Sequence, residues 1–156
     1  MENEEVKDLA VKEESGVLNL TEFRKNSSTQ VGTFSNIHDS KELFNVSNNA
    51  DFKLNDCIGE RIRFKKVLIR KYEKELSEPI VNEETGETIT TENKVACAIV
   101  SVDGKSYVTG SKLFTYKLLN YLVDCGGVKD LNGEGVEIEI IKVPMQNGNS
   151  LGFKVL

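Results

Sequence analysis

A chain of 156 residues with 38% apolar side chains and a formal charge of −5 has material for one domain of ordinary size and an appendage. It holds no apolar run near the roughly 20 residues of a membrane span, and its acidic start, MENEEVKDLA, lacks the apolar stretch of a secretory signal. Three widely spaced cysteines, Cys57, Cys97 and Cys125, suit reduced thiols in a cytoplasm better than a disulfide framework.

The charge is unevenly spread. Residues 1–50 carry nine acids against five bases, whereas residues 51–156 carry sixteen against fifteen. Residues 1–40 therefore read as an acidic, disordered arm before a domain at 41–156, because so little apolar surface does not offset the entropy of ordering. A helix over 3–13 ending at Ser15-Gly16, and a partner motif at Leu18, Leu20 and Phe23, are the structured alternatives within the arm. Packing onto the domain begins over Lys41–Leu54.

The domain then has a clear order. Residues 60–72, ERIRFKKVLIRKY, are rich in β-branched, aromatic and basic types and predict a long strand, with alternation broken at Lys65-Lys66 as a bulge would break it. A polar excursion follows, containing Pro79 and the turn Glu84-Thr85-Gly86-Glu87. Residues 94–102, KVACAIVSV, predict a buried strand. Asp103-Gly104 is a strong hairpin signal and leads into a strand at Lys105–Thr109. From Ser111, a suitable N-cap, the period changes to 3.6: Phe114, Leu118, Tyr121, Leu122 and Cys125 share a helical face, and Gly126-Gly127 stops the helix. Val136–Val143 alternates as a strand up to Pro144, Asn147-Gly148 turns the chain, and Leu151–Leu156 is the last strand. The order strand, hairpin, helix, hairpin (β-β-β-α-β-β) is that of an all-β, five-stranded OB barrel behind a polar N-terminal arm. The alternative is an open α+β sheet of the same elements.

Catalytic patterns are missing from the sequence, and it reads as that of a non-enzyme. The one histidine, His38, lies in the arm, and there is no C-x-x-C, H-E-x-x-H or aspartate-rich metal loop. Gly104-Lys105-Ser106 imitates the end of a P-loop, but Ile99 stands where the first glycine is needed and the segment lies in a hairpin. Glu83, Glu84 and Glu87 read as a solvated loop face.

The positive feature is a run of bases. Arg61, Arg63, Lys65, Lys66, Arg70, Lys71 and Lys74 occur with Glu73 as the sole acid between 61 and 74. Arg61, Arg63 and Lys65 share a face by simple alternation, and Lys66 and Arg70 take the other unless a bulge re-aims them. A strand offers phosphates a charge at about every 6.8 Å along one face. Tyr72 and Tyr107 add flat rings on which bases can stack. An edge strand protected by charge is the plainer reading.

Five strings occur in a telling order: Asn48–Asp56 (NNADFKLND), Ile58-Gly59, Asn82–Glu87 (NEETGE), Asp103–Tyr107 (DGKSY) and Gly110-Ser111. Over residues 42–156 the chain thereby resembles the single-stranded DNA-binding proteins of phages of Gram-positive bacteria. The resemblance implies an OB fold and sequence-tolerant binding of single-stranded DNA in phage replication or recombination, inside the host cytoplasm. It matches the basic strand and Tyr107 to binding-face positions. Two departures stand out: the domain has no Trp, and the chain ends on the apolar Phe153-Lys154-Val155-Leu156 where bacterial relatives carry an acidic tip. The expected DNA contacts are therefore Arg61, Arg63, Lys65, Lys66, Arg70, Lys94, Lys105 and Lys112 for phosphates, with Tyr72 and Tyr107 for bases. No cofactor, metal or membrane is called for. Replication or recombination proteins are candidate partners of the arm. The competing expectation is an OB-fold interaction module that docks on a host or replication protein.

Overall fold

The computed structural model describes residues 32–146 and 148–156. Its elements in chain order are β1 (Gly32–Ser35), α1 (Ser40–Asn48), β2 (Phe52–Lys53), a 3-10 turn (Leu54–Asp56), β3 (Arg61–Val81), β4 (Thr88–Ser101), β5 (Ser106–Thr109), α2 (Lys112–Asp124), α3 (Gly127–Asn132), β6 (Val136–Met145) and β7 (Gly148–Val155). The strands form one curled, half-barrel sheet in the order β2-β5-β4-β3-β6-β7, with β1 on β3. All described pairings are antiparallel except β2 on β5.

β3 is the spine of this sheet, and one of its edges is shared. Residues 61–64 pair with β6, and residues 68–71 pair with β1. The opposite edge runs along β4 from Phe64 to Val81. The sheet's concave side collects Ile62, Phe64, Val67 and Ile69 from β3, Cys97 and Ile99 from β4, Val136, Ile138 and Ile140 from β6, and Leu151 and Phe153 from β7. Helix α2 closes over them with Phe114, Leu118, Leu119 and Leu122, and Phe114 meets Phe153 edge-on at 4.9 Å between ring centres.

The expected ends of α2 and the turn between β4 and β5 form. Ser111 Oγ accepts from the Phe114 N–H at 3.2 Å and starts α2. Gly126, at φ 76°, ends it, and a side chain at Gly127 would come within 2.5 Å of the Tyr121 ring. The chain therefore turns at once into α3, a helix the periodicity did not predict. At the β4–β5 turn Gly104 takes φ 92° and its N–H reaches the Ser101 carbonyl at 2.9 Å.

Three expectations need correction. The sheet has seven strands, not five. The additional β1 and β2 are short, and neither carries a period long enough to read. Residues 73–81, expected as a loop, continue β3 and pair with β4 as a two-stranded ribbon. Both faces of that ribbon meet solvent over most of its length, so it lacks the apolar alternation that marks a strand. Pro79 falls in the gap in register between Glu75 and Ile80, where no ladder bond is asked of it. The last strand begins at Gly148 rather than Leu151.

Residues 32–40, assigned to the arm by composition, comprise β1, its connection to α1 and the first residue of that helix. The helix expected at 3–13 and the motif at Leu18–Phe23 lie outside the described residues. Among the described residues no helix is long and apolar enough to cross a membrane.

Candidate nucleic-acid interface

The interface begins with one surplus residue. β3 pairs with β4 as Phe64↔Ser101 and then Lys66↔Val100, so Lys65 is bulged out of the ladder. The backbone groups beside it are satisfied from the N-terminal side. Asn36 Nδ2 donates to the Lys65 carbonyl at 2.8 Å, the Val67 N–H donates to Asn36 Oδ1 at 2.8 Å, and the Asn36 N–H donates to the Val67 carbonyl at 3.3 Å. Gly135 also packs here: a side chain on it would meet the Phe64 carbonyl at 2.9 Å.

The bulge decides which side chains share a face. Ile62 and Phe64 point inward before it, and Val67, Ile69 and Lys71 point inward after it. Arg61, Arg63, Lys66, Arg70 and Tyr72 therefore line the outer face together. Simple alternation separates Arg61 and Arg63 from Lys66 and Arg70; the bulge reunites them, and Lys65 itself projects from the irregularity. Lys94 joins the stripe from β4, directly opposite Tyr72. The Arg70 guanidinium lies 5.5 Å from the centre of the Tyr72 ring.

Most of this charge already has a counter-charge. Arg61 faces Glu139 at 3.6 Å, Arg63 faces Glu137 at 3.0 Å, Lys66 faces Glu42 at 2.8 Å and Lys94 faces Glu92 at 3.3 Å. Such partly exposed pairs contribute at most about 1 kcal/mol each and exchange readily with another anion. Arg70, Lys65, Lys105 and Lys112 form no ion pair among the described residues. Lys105 belongs to the β4–β5 turn and Lys112 to the first turn of α2, so neither extends the stripe along β3. Lys71, from the same basic run, is buried on the inner face beside the Tyr116 ring, and burial holds its ammonium below the ordinary lysine range.

The two tyrosines part company. Tyr72 is half-buried on the outer stripe. Tyr107 is only 7% exposed, packs in the inner core and stacks on Phe52 at 5.3 Å between ring centres. Burial, aided by the charges of Asp103 and Glu60, raises its phenol above the ordinary range. The ring open to solvent at this end is Phe52, which is 45% exposed. The adjoining groove, about 520 Å³, includes Asp51, Asp56 and Glu60 and so disfavours phosphate. Sequence reasoning missed Phe52 because it sits in a polar stretch; its only signal is its spacing from Leu54.

Reasoning from sequence also missed what lies over the middle of the outer face. Leu68, Ala98, Val100 and Val108 form a small apolar patch there, covered by Ile37 and by Leu43 and Val46 of α1. Among the described residues no cluster of His, Cys, Asp or Glu could hold a metal ion. The chain matches no protein-family model, no curated protein and no solved structure. Its own residues are the whole basis for a functional reading.

Proposed function

We propose that this chain is a single-stranded DNA-binding protein with an OB-type barrel, acting on phage DNA in replication or recombination. The succession of strands β3 to β7 with α2 between β5 and β6 is one that an OB barrel would give, and it supports the reading. The observation that carries the reading is the bulge at Lys65, which gathers Arg61, Arg63, Lys66, Arg70 and Tyr72 on one outer face beside Lys94. A single strand laid along β3 would exchange its phosphates for the carboxylates now on Arg61, Arg63, Lys66 and Lys94. It would stack a base on Tyr72, whose ring Arg70 already flanks.

Titration of a fluorescent oligo-dT at low salt, read by anisotropy, tests this directly. Binding is expected, with log affinity falling linearly in log salt. Arg70→Ala with Lys94→Ala should flatten that slope by about 1.4, two phosphates at about 0.7 each. No binding at tens of micromolar protein, inside the usual non-specific range of about 10⁻⁴–10⁻⁶ M, sinks the reading.

A second reading has its own support. Four of the stripe's cations are already paired and a helix lies over the sheet's outer face. Both facts suit a protein-interaction module better than an open groove. Failure of the titration selects this reading.

A further inference from the structure

Helix α1 is attached to the outer face lightly. It is nine residues long, and it inserts a buried Val46 and a half-buried Leu43 against Leu68, Ala98, Val100 and Val108. Among the described residues, the ion pair that ties it to the sheet joins Glu42 to Lys66, with carboxylate oxygens at 2.8 and 2.9 Å from Nζ. Open space runs along both flanks: a groove of about 550 Å³ between α1 and the β4–β5 turn, and a narrow cleft where Val46 and Ser47 approach Leu68, Arg70 and Ala96. The flanking chain is pinned far more firmly. Asn36 is tied to the bulge by three hydrogen bonds. Asp51 accepts from the Ser106 N–H at 2.9 Å and from Ser106 Oγ at 3.2 Å, and its own N–H donates to Ser106 Oγ at 3.0 Å.

We propose that α1 is a displaceable cover, and that a single strand and α1 compete for Lys66 and for the sheet surface under Val46. The inference rests on the nucleic-acid reading above and adds its regulation. The Glu42 carboxylate occupies the position on Lys66 that a phosphate would take. Exchanging one exposed pair for another costs little, and the incoming strand gains by releasing its counterions. A nine-residue helix does not persist without its packing. Once displaced, residues 38–50 become a slack loop held at Ile37 and Asp51, and the part of the patch that α1 covers lies open to bases. The observed affinity is then the intrinsic one reduced by the fraction of molecules with α1 lifted.

Two variants of the full chain test this with fluorescent oligo-dT at low salt. Glu42→Gln should bind about two- to fivefold tighter, the range one exposed ion pair can move an affinity. Val46→Ala should bind up to about tenfold tighter, as the loss of two buried methyl groups allows. Lys66→Ala should erase the gain from Glu42→Gln. If Val46→Ala fails to fold, Glu42→Gln still decides, because its site is exposed. Hydrogen exchange gives an independent readout: oligo-dT should speed exchange of the amides of residues 43–49. Equal affinities for wild type and both variants, or slower exchange across α1 in the complex, overturns the cover. Absence of binding by every protein is a different result: it removes the nucleic-acid reading, and the competition goes with it.

Discussion

The two sides of the curled sheet differ in how they are closed. On the concave side α2 brings Phe114, Leu118, Leu119 and Leu122, all essentially without solvent exposure, against strands β3, β4, β6 and β7. On the convex side α1 brings Val46 and part of Leu43 against four small or medium apolar residues. Buried apolar area scales with stabilisation, so the inner closure carries the fold and the outer one adds little to it. A surface meant to exchange ligands needs the second kind of closure, because only a weak cover can be lifted by a partner of ordinary affinity.

The largest effect that would sharpen this contrast is on the concave side. Phe114→Ala removes a fully buried ring and its contact with Phe153, and should cost about 3–5 kcal/mol in urea unfolding. A loss below 1 kcal/mol, about the worth of an exposed contact, would mean that α2 is as loosely held as α1.

The two tyrosines carry the comparison to single residues. Tyr107→Ala should lose about 3 kcal/mol of stability, as large-to-small changes in a core do, with oligonucleotide affinity per folded molecule nearly unchanged. Tyr72→Ala should do the reverse. Binding should weaken by about 1–3 kcal/mol with little dependence on base, while the melting temperature barely moves. An affinity loss at Tyr107 with intact stability would return the binding face to the β5 side.

The smallest effect concerns Tyr121, whose hydroxyl donates to Asp130 on α3; that bond, then burial, pushes its pKa up to about 12. The neutral phenol is favoured in the folded state. Its stabilisation is therefore complete below the ordinary value of about 10 and is lost as pH rises from about 10 to about 12. Burial also raises Tyr107 and Tyr116, so ultraviolet titration should show several tyrosines ionising late, and Tyr121→Phe should remove one of those steps. Ionisation of all four tyrosines near the ordinary value would show the bond to be absent in solution.

Legibility followed burial. The strand at 136–143 and the α2 helix could be read because each buries one face on the core and burial imposes a period; the strand at 94–102 showed as a continuous apolar run because both its faces are covered. The ribbon beyond Tyr72 could not, since residues solvated on both sides have no period to show. The basic stripe was half legible: its members were plain, and the break at Lys65-Lys66 hinted at the bulge that aligns them. The carboxylates of Glu137, Glu139 and Glu42 that answer those bases lie from 24 to more than 70 residues away, and no local pattern reveals such pairings. Tyr107 was misjudged for a related reason. In a four-residue connection followed by a four-residue strand, inward and outward positions look alike until the neighbouring strand is known.

Lys65 has a consequence for chain length. Without it, residues 61–72 would alternate outward and inward from Arg61 to Tyr72 without a break, and every side chain on the strand would keep its present face. What would disappear is the projecting carbonyl that Asn36 grips. The orientation of the strand and the mooring of the segment ahead of α1 thus rest on different features: one on the pattern of residue types, the other in part on a single added residue. Loss of that residue would take one of the three bonds from the N-terminal segment, leaving the two to Val67 and the charged stripe in place.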